Sequence, residues 1–348
     1  MTWDNCVLES VLAMSNVTRT TPSSPKVPAR PPGRPPAKDM VWIPGGTFVM
    51  GSDHHYAEEA PAHPVTVTGF WMDKYLVTNA QFQKFVKATG YVTFAERPVN
   101  PDNYPGAQPE LLQPSSCVFV KPDRPVDRGS HYNWWSYLAG ADWRHPEGPG
   151  SSIKGRENHP VVHLTYEDAA AYAQWIGKEL PSEAEWEFAA WGGREKSEFA
   201  WGDELHPNGK MMANTWQGEF PWENLKTDGY ERTSPVGVFP ANGYGLYDMI
   251  GNVWEWTTDW YQEHNQIKQD SCCGTLVNPR GGDRDASYDP QMPDVKIPRK
   301  VIKGGSFLCA PSYCRRYRPP ARMAEPIDTS TSHLGFRLIV RIQQSGQT

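Results

Sequence analysis

The sequence predicts an α+β fold with little regular secondary structure. Three capping boxes announce three helices, and short β-branched runs announce strands. The rest is left to turns: 30 Gly and 33 Pro interrupt the chain, while 15 Trp supply apolar anchors that bury well without long elements.

Taken in order, the chain opens on a different composition. Residues 1–38 include PSSPKVPARPPGRPPAK, a proline-rich cationic stretch with too little apolar content to pack a core, and are expected to form a disordered tail. The opening MTWDNCVLESVLAMSN lacks the basic start and apolar length of a secretory signal, so a cytoplasmic location is expected. A single domain is expected over 39–342, followed by a short disordered tail, 343–348. No apolar run is long enough to span a membrane, and the net charge is -6, so neither membrane nor nucleic acid is an expected partner. Nothing in the pattern calls for an obligate oligomer, and a monomer is expected.

The folded part begins at MVWIPGGTFVMGS, where two apolar runs around Pro44-Gly45-Gly46 read as a hairpin. The alternating His63–Asp73 reads as one further strand. Thr78 with Gln81 starts a helix that turns Phe82, Phe85 and Val86 inward and stops at Gly90. Thr165 with Asp168 starts a second, with Ala169, Tyr172, Ala173 and Ile176 inward and Gly177 closing it. Ser182 with Glu185 starts the third, ended by Gly192-Gly193. Between the first two helices, Phe94 to His159 is irregular over a length that is uncommon and often functional.

The most reactive-looking stretch lies near the end, VIKGGSFLCAPSYCRRYRPPAR. Cys309 and Cys314 follow a Gly304-Gly305 turn, and Pro311 between them disfavours a helix, so the pair belongs on a loop. Arg315, Arg316, Arg318 and Arg322 follow, with Tyr313 and Tyr317 among them. Cations favour the thiolate, and the run reads as a wall of a substrate groove. On spacing alone the pair reads as a structural disulfide or two buried thiols, since cysteines are often simply buried. Cys6, Cys117, Cys272 and Cys273 form no C-x-x-C and read as bystanders, and His54, His55 and His63 receive no metal role.

With GNVWEWTTDWY (251–261), LPSEAEWEFAA (180–190) and KGGSFLCAPSYCRRYR followed by HLGFRL, the chain resembles the formylglycine-generating enzymes, or sulfatase-modifying factors, over nearly all of 40–341. The resemblance implies a variant of the C-type lectin fold. It implies an oxidase that uses copper and molecular oxygen to convert a cysteine in a Cys-x-Pro-x-Arg segment of an unfolded or nascent sulfatase to Cα-formylglycine. By position, Cys309 and Cys314 would hold Cu(I), a soft ion suited to thiolates. Ser306 would orient oxygen or water, Trp254 would line the oxygen side, and Tyr313, Arg322 and His333 would lie by the substrate cleft.

The same resemblance implies two structural calcium ions, whose oxygen ligands suit a hard cation. One would take the side chains of Asn214 and Asp228 with the carbonyls of Thr215 and Tyr230. The other would take Asp248 and Glu255 with the carbonyls of Gly251 and Val253. The chain departs from the family pattern at Ala310-Pro311, and at His333, where some members have Asn while Asp328 is kept; both departures bear on peptide choice more than on copper. Two other functions compete. One is a lectin-like binding module without catalysis. The other is an iron-dependent sulfoxide synthase, which usually carries a helical domain that the residues before Met40 are too few to hold.

Overall fold

The computed structural model describes residues 30–194, 197–266 and 275–342. Residues 1–29, with Cys6 and the first half of the proline-rich segment, and Cys272, Cys273 and the 343–348 tail lie outside them. In chain order the elements are β1 (Met40–Ile43), β2 (Gly46–Met50), β3 (His63–Val67), β4 (Phe70–Asp73), α1 (Asn79–Thr89), β5 (Ser115–Phe119) and β6 (Trp135–Ala139). There follow α2 (Tyr166–Ile176), α3 (Glu183–Trp191), β7 (Trp254–Trp260), β8 (Leu276–Val277), β9 (Arg299–Lys303), β10 (Arg322–Pro326), β11 (Leu334–Gly335) and β12 (Ile339–Arg341).

The three helices start and stop where their caps predict. Thr78, Thr165 and Ser182 each accept from the backbone of the third helical residue, and that residue's side chain answers to the cap. Each helix ends on a left-handed glycine: Gly90, Gly177 and Gly192. One inward assignment fails. Ile176 is 42% exposed, because the last turn of α2 runs past the core before Gly177 stops it.

The strands differ more. Pro44-Gly45 is not a hairpin but a corner between sheets: β1 pairs with β4, whereas β2 pairs with β3. His63–Asp73 is correspondingly two strands, broken at Thr68-Gly69. The two corners pack on each other. A Cβ on Gly45 would meet Val67 O at 2.5 Å, so only glycine, here at φ 70°, lets them touch.

Four small sheets result, ordered β1-β4-β12, β10-β9-β7-β11, β2-β3-β8 and β5-β6. Helix α3 lies in the middle of the molecule, buried along almost its whole length, and packs on β2, β3, β7 and β9. A helix buried on all sides carries charge only if the charge is paired. Glu183 meets Arg322 and Lys303, Glu185 meets Arg341, and Glu187 meets Lys303.

The long connection after α1 returns to the core through β5, whose Cys117 N–H donates to Ser330 O (3.1 Å) and whose Cys117 O accepts from Ser332 N–H (3.0 Å). This anchoring carries Phe119, Trp134 and Trp135 towards the segment after β9.

Candidate active site

Strand β9 ends at Lys303, and Gly304 and Gly305, at φ 98° and 72°, turn the chain back. A Cβ on Gly305 would meet the Arg316 carbonyl oxygen at 2.8 Å, so its absence lets the outgoing and returning segments cross. The crossing is tied to the loop before β7: Gly251 N–H donates to Gly304 O (2.9 Å) and Phe307 N–H to Asn252 O (3.0 Å). Ala310 O then accepts from Tyr313 N–H (3.1 Å) and Cys314 N–H (2.8 Å), closing a turn with Pro311 and Ser312 exposed at its tip. That turn brings the Cys309 and Cys314 sulfurs to 3.3 Å. Both are free thiols, only 2% and 8% exposed.

The two thiols share their protons. Burial, then the neighbouring Cys314, pushes the Cys309 thiol well up. The hydrogen bond from Cys309 pulls Cys314 down against its burial, and Arg316 adds to the effect. Cys314 is therefore the first to become thiolate. Ser306 N–H faces Cys309 Sγ at 3.4 Å, and Arg316 Nη1 lies 3.8 Å from Cys314 Sγ.

Around the turn stands an aromatic wall from three distant parts of the chain. Tyr313, 44% exposed, stacks on Phe220 at 4.5 Å between centroids, with Trp134 edge-on at 5.6 Å. Trp216 N–H donates to Cys309 O (3.0 Å). Trp254, the first residue of β7, belongs to the same buried apolar cluster as both cysteines.

A cavity of about 670 Å³ is lined by Phe48, Trp191, Glu198 and Arg318 but by neither cysteine. A smaller one, about 360 Å³, adjoins the turn at Pro311, Ser312, Trp216 and Gly218. The thiol pair rather than cavity size marks the site. Among the described residues no group of three or more His, Cys, Asp or Glu gathers as a metal centre, so the pair has no third ligand of that kind.

Comparison with known proteins agrees with the geometry. The family model described as a sulfatase-modifying factor enzyme 1-like domain matches residues 26–342. The chain belongs to the sulfatase-modifying factor family. It is 50% identical over 303 residues to the formylglycine-generating enzyme of Mycobacterium tuberculosis, covering 86% of this chain and 97% of that one. To the formylglycine-generating enzyme of Mus musculus it is 45% identical over 303 residues, covering 86% and 74%. Among solved structures, PvdO from Pseudomonas aeruginosa superposes with a TM-score of 0.56 at 25% identity, covering 88% of this chain and 96% of that one, which supports the shared fold.

In this sulfatase-modifying factor domain the predicted site residues separate into three groups. Cys309, Cys314, Ser306 and Tyr313 come together as described, while Trp254 is placed only at the buried start of β7, in the large central apolar cluster. His333, just before β11, lies beside Trp254 and Trp135: its backbone O accepts from Trp254 N–H (2.8 Å), its ring packs on Trp135 at 4.9 Å, and Nδ1 bonds Thr331 Oγ1 at 2.5 Å. Burial pulls its pKa down to about 3, so the ring is neutral in neutral water.

Arg322 does not face a cleft. It is 1% exposed, with Nε and Nη2 donating to Glu183 at 2.7 and 2.9 Å. Arg318 is equally buried, forked onto Glu59 at 2.9 and 2.5 Å. The expected arginine wall is thus half core. Only Arg315 and Arg316 reach the surface, and only Arg316 reaches a sulfur.

The eight oxygen-ligand positions form two adjoining sets. Asn214 O accepts from Asn252 N–H (2.8 Å), which places Gly251 against Asn214. In the first set Asp228 Oδ2 and Thr215 O converge on the Gln217 side-chain amide, and Asp228 Oδ1 accepts from Tyr230 N–H (2.9 Å). Asn214 turns its Nδ2 to Arg232 O (2.9 Å). In the second, Asp248 is buried, with its pKa raised to about 6 by that burial. Glu255 gives both oxygens to Arg337, at 2.7 and 2.8 Å, and keeps only its other lone pairs.

Tyr56, Glu58, Trp134, Trp216 and Phe220 had no signal in the sequence. They come from separate segments, and no local spacing links them to the cysteines.

Proposed function

We infer that this chain is a formylglycine-generating enzyme, oxidising a cysteine in a Cys-x-Pro-x-Arg segment of a sulfatase polypeptide to Cα-formylglycine with molecular oxygen. The observation that carries the reading is the pair of free, buried thiols 3.3 Å apart in a chain 50% identical to an enzyme of that name.

The residues fit Cu(I). Two soft sulfur donors without a third carboxylate or imidazole ligand suit a two-coordinate soft ion better than zinc, which takes four ligands in its structural sites. Cys309 and Cys314 would hold it. When bound, it supplies the redox chemistry between substrate thiol and oxygen. The chain supplies the surroundings. Ser306 N–H orients the Cys309 sulfur, and Ser306 and Trp254 wall the oxygen side. Tyr313 on Phe220 and Trp134 offers a flat exposed platform beside Cys314 for the peptide. Burial of both sulfurs excludes water that would compete for oxidation intermediates. The substrate Cβ loses two electrons and its sulfur leaves as hydrogen sulfide. Dioxygen accepts four electrons and ends as water, so two external thiols supply the other two electrons and become a disulfide.

Two calcium ions fit less evenly. At the first set, a half-buried Asp228 with a pKa raised by burial and a carbonyl aimed at one point match a hard cation, which would replace the Gln217 amide. At the second, no cationic side chain among the described residues pairs with the Asp248 carboxylate, and a cation with the Gly251 and Val253 carbonyls would do so. Glu255 contributes there only through the lone pairs that Arg337 leaves. The site residues, both metals and a cytoplasmic, monomeric state are part of this reading. No helix of the described residues is long and apolar enough to cross a membrane.

Incubation of the Cu(I)-loaded protein with a Cys-x-Pro-x-Arg peptide, oxygen and a thiol reductant tests it by mass spectrometry. A peptide aldehyde is expected. A peptide that keeps its thiol under these conditions overturns the reading.

A further inference from the structure

The two-sulfur site is served by a loop some 258 residues away in sequence. Arg316 donates from Nε and Nη2 to Glu58 Oε1, at 3.1 and 2.5 Å, while Nη1 reaches to within 3.8 Å of Cys314 Sγ. The guanidinium also lies over the Tyr56 ring, 3.9 Å from its centroid. Four contacts therefore fix one side chain, and one of them is a sulfur.

The loop that does the holding is itself closed and fastened. Ser52 N–H donates to Glu59 O (3.1 Å), and a Cβ on Gly51 would meet that same carbonyl at 2.4 Å. Glu59, fully buried, takes the fork of Arg318. Tyr56 Oη accepts from Arg315 N–H at 3.0 Å. Residues 51–60 thus grip 315–318 at three successive arginines.

As an ion pair alone, Glu58–Arg316 would mean little: the side chains are 23% and 21% exposed, and such pairs contribute little to stability. The contact to Cys314 gives it a different use. Two thiolates around a monovalent copper ion leave one net negative charge in a buried place, and an uncompensated buried charge is costly. A guanidinium held beside one of the two sulfurs offsets it, and its fixed direction also sets where that sulfur points.

We propose that Arg316 is a positioning residue for the Cu(I) site, and that Tyr56 and Glu58 form the clamp that presents it to Cys314. The proposal rests on the copper reading above. It assigns the loop 51–60, which contributes no ligand, to the outer shell of the site. Outer-shell partners of this kind typically change metal affinity by about 10–100-fold.

The test is Cu(I) affinity of the full chain, measured by competition with a chromogenic Cu(I) chelator, for wild type, Arg316→Ala, Arg316→Lys and Glu58→Gln. Arg316→Ala is expected to weaken binding by about tenfold. Arg316→Lys should recover part of the loss, because it keeps the charge but not the fork. Glu58→Gln should fall between, with thermal midpoints close to wild type. Affinity indifferent to both Arg316 variants overturns the proposal while leaving the copper reading intact. Failure of wild type to bind Cu(I) overturns the copper reading and the proposal with it. A loss that Arg316→Lys does not relieve, accompanied by an equal fall in thermal midpoint in every variant, assigns Arg316 a structural role and overturns the positioning role.

Discussion

Arg316, Arg318 and Arg322 belong to one basic run, yet the fold divides their work. Arg318 and Arg322 are buried counter-ions that let Glu59 and Glu183 lie in the core, whereas Arg316 alone of the three reaches a sulfur of the thiol pair. Composition could not separate them, because each arginine's partner comes from a segment far away in sequence. The difference has a measurable consequence. Glu183→Ala strands the buried Arg322 and leaves Lys303 only Glu187, and breaking such a buried pair typically costs about 3–5 kcal/mol. Urea unfolding should show that loss, while the remaining folded protein keeps its Cu(I) affinity. A change below about 1 kcal/mol would mean that Arg322 finds another partner, and would restore it as a candidate for the substrate cleft.

At the scale of elements, what could be read in advance was what is local. Each helix start is a Ser or Thr that bonds a residue three positions on, so four consecutive residues contain the whole signal. Ser182→Ala should accordingly destabilise the domain by about 1 kcal/mol by leaving the buried Glu185 N–H at the start of α3 without its acceptor, seen as a lower unfolding midpoint with unchanged slope. No change would show that Asp259, which accepts from Glu183 N–H at 2.9 Å, already caps that end.

Sheet pairing was not legible. Pro44-Gly45-Gly46 has the composition of a hairpin, but β1 finds β4 and β2 finds β3, because Gly45 packs against the second corner at Thr68-Gly69. The site was half legible for the same reason. Cys309 and Cys314 converge through a five-residue turn, Ala310 to Cys314, that is local. Their wall, from Tyr56 to Phe220, is assembled by long-range packing that no short motif encodes.

Across the whole molecule, the buried carboxylates set the response to pH. Burial, with Glu183 nearby, raises Asp259 from an ordinary 3.8 to about 7, and burial raises Asp248 to about 6. Between about pH 4 and 7 the folded chain therefore holds protons that the unfolded chain has released. The stability they contribute is complete below pH 4 and is lost as pH rises through 6 and 7. Asp259→Asn should flatten that decline, so the fall in urea midpoint from pH 5 to pH 8 becomes smaller than in wild type. An equal fall in both proteins would contradict a raised Asp259. Under the calcium reading, a cation on Asp248 would take the place of its proton and shift the same balance. Chelation by EDTA at pH 8 should lower the thermal midpoint, and metal analysis before chelation should find calcium; a calcium-free protein with an unmoved midpoint would remove both ions from the account.

The central claim is that two sulfurs, 3.3 Å apart, form the centre at which a substrate cysteine is oxidised. It is tested most directly by comparing wild type with the Cys309→Ser, Cys314→Ser double variant, both confirmed folded by circular dichroism. Each is given Cu(I), oxygen, a thiol reductant and a Cys-x-Pro-x-Arg peptide, and aldehyde is followed by mass spectrometry. The account predicts conversion by wild type and none above the copper-only background in the double variant. Equal conversion by the two proteins would contradict it.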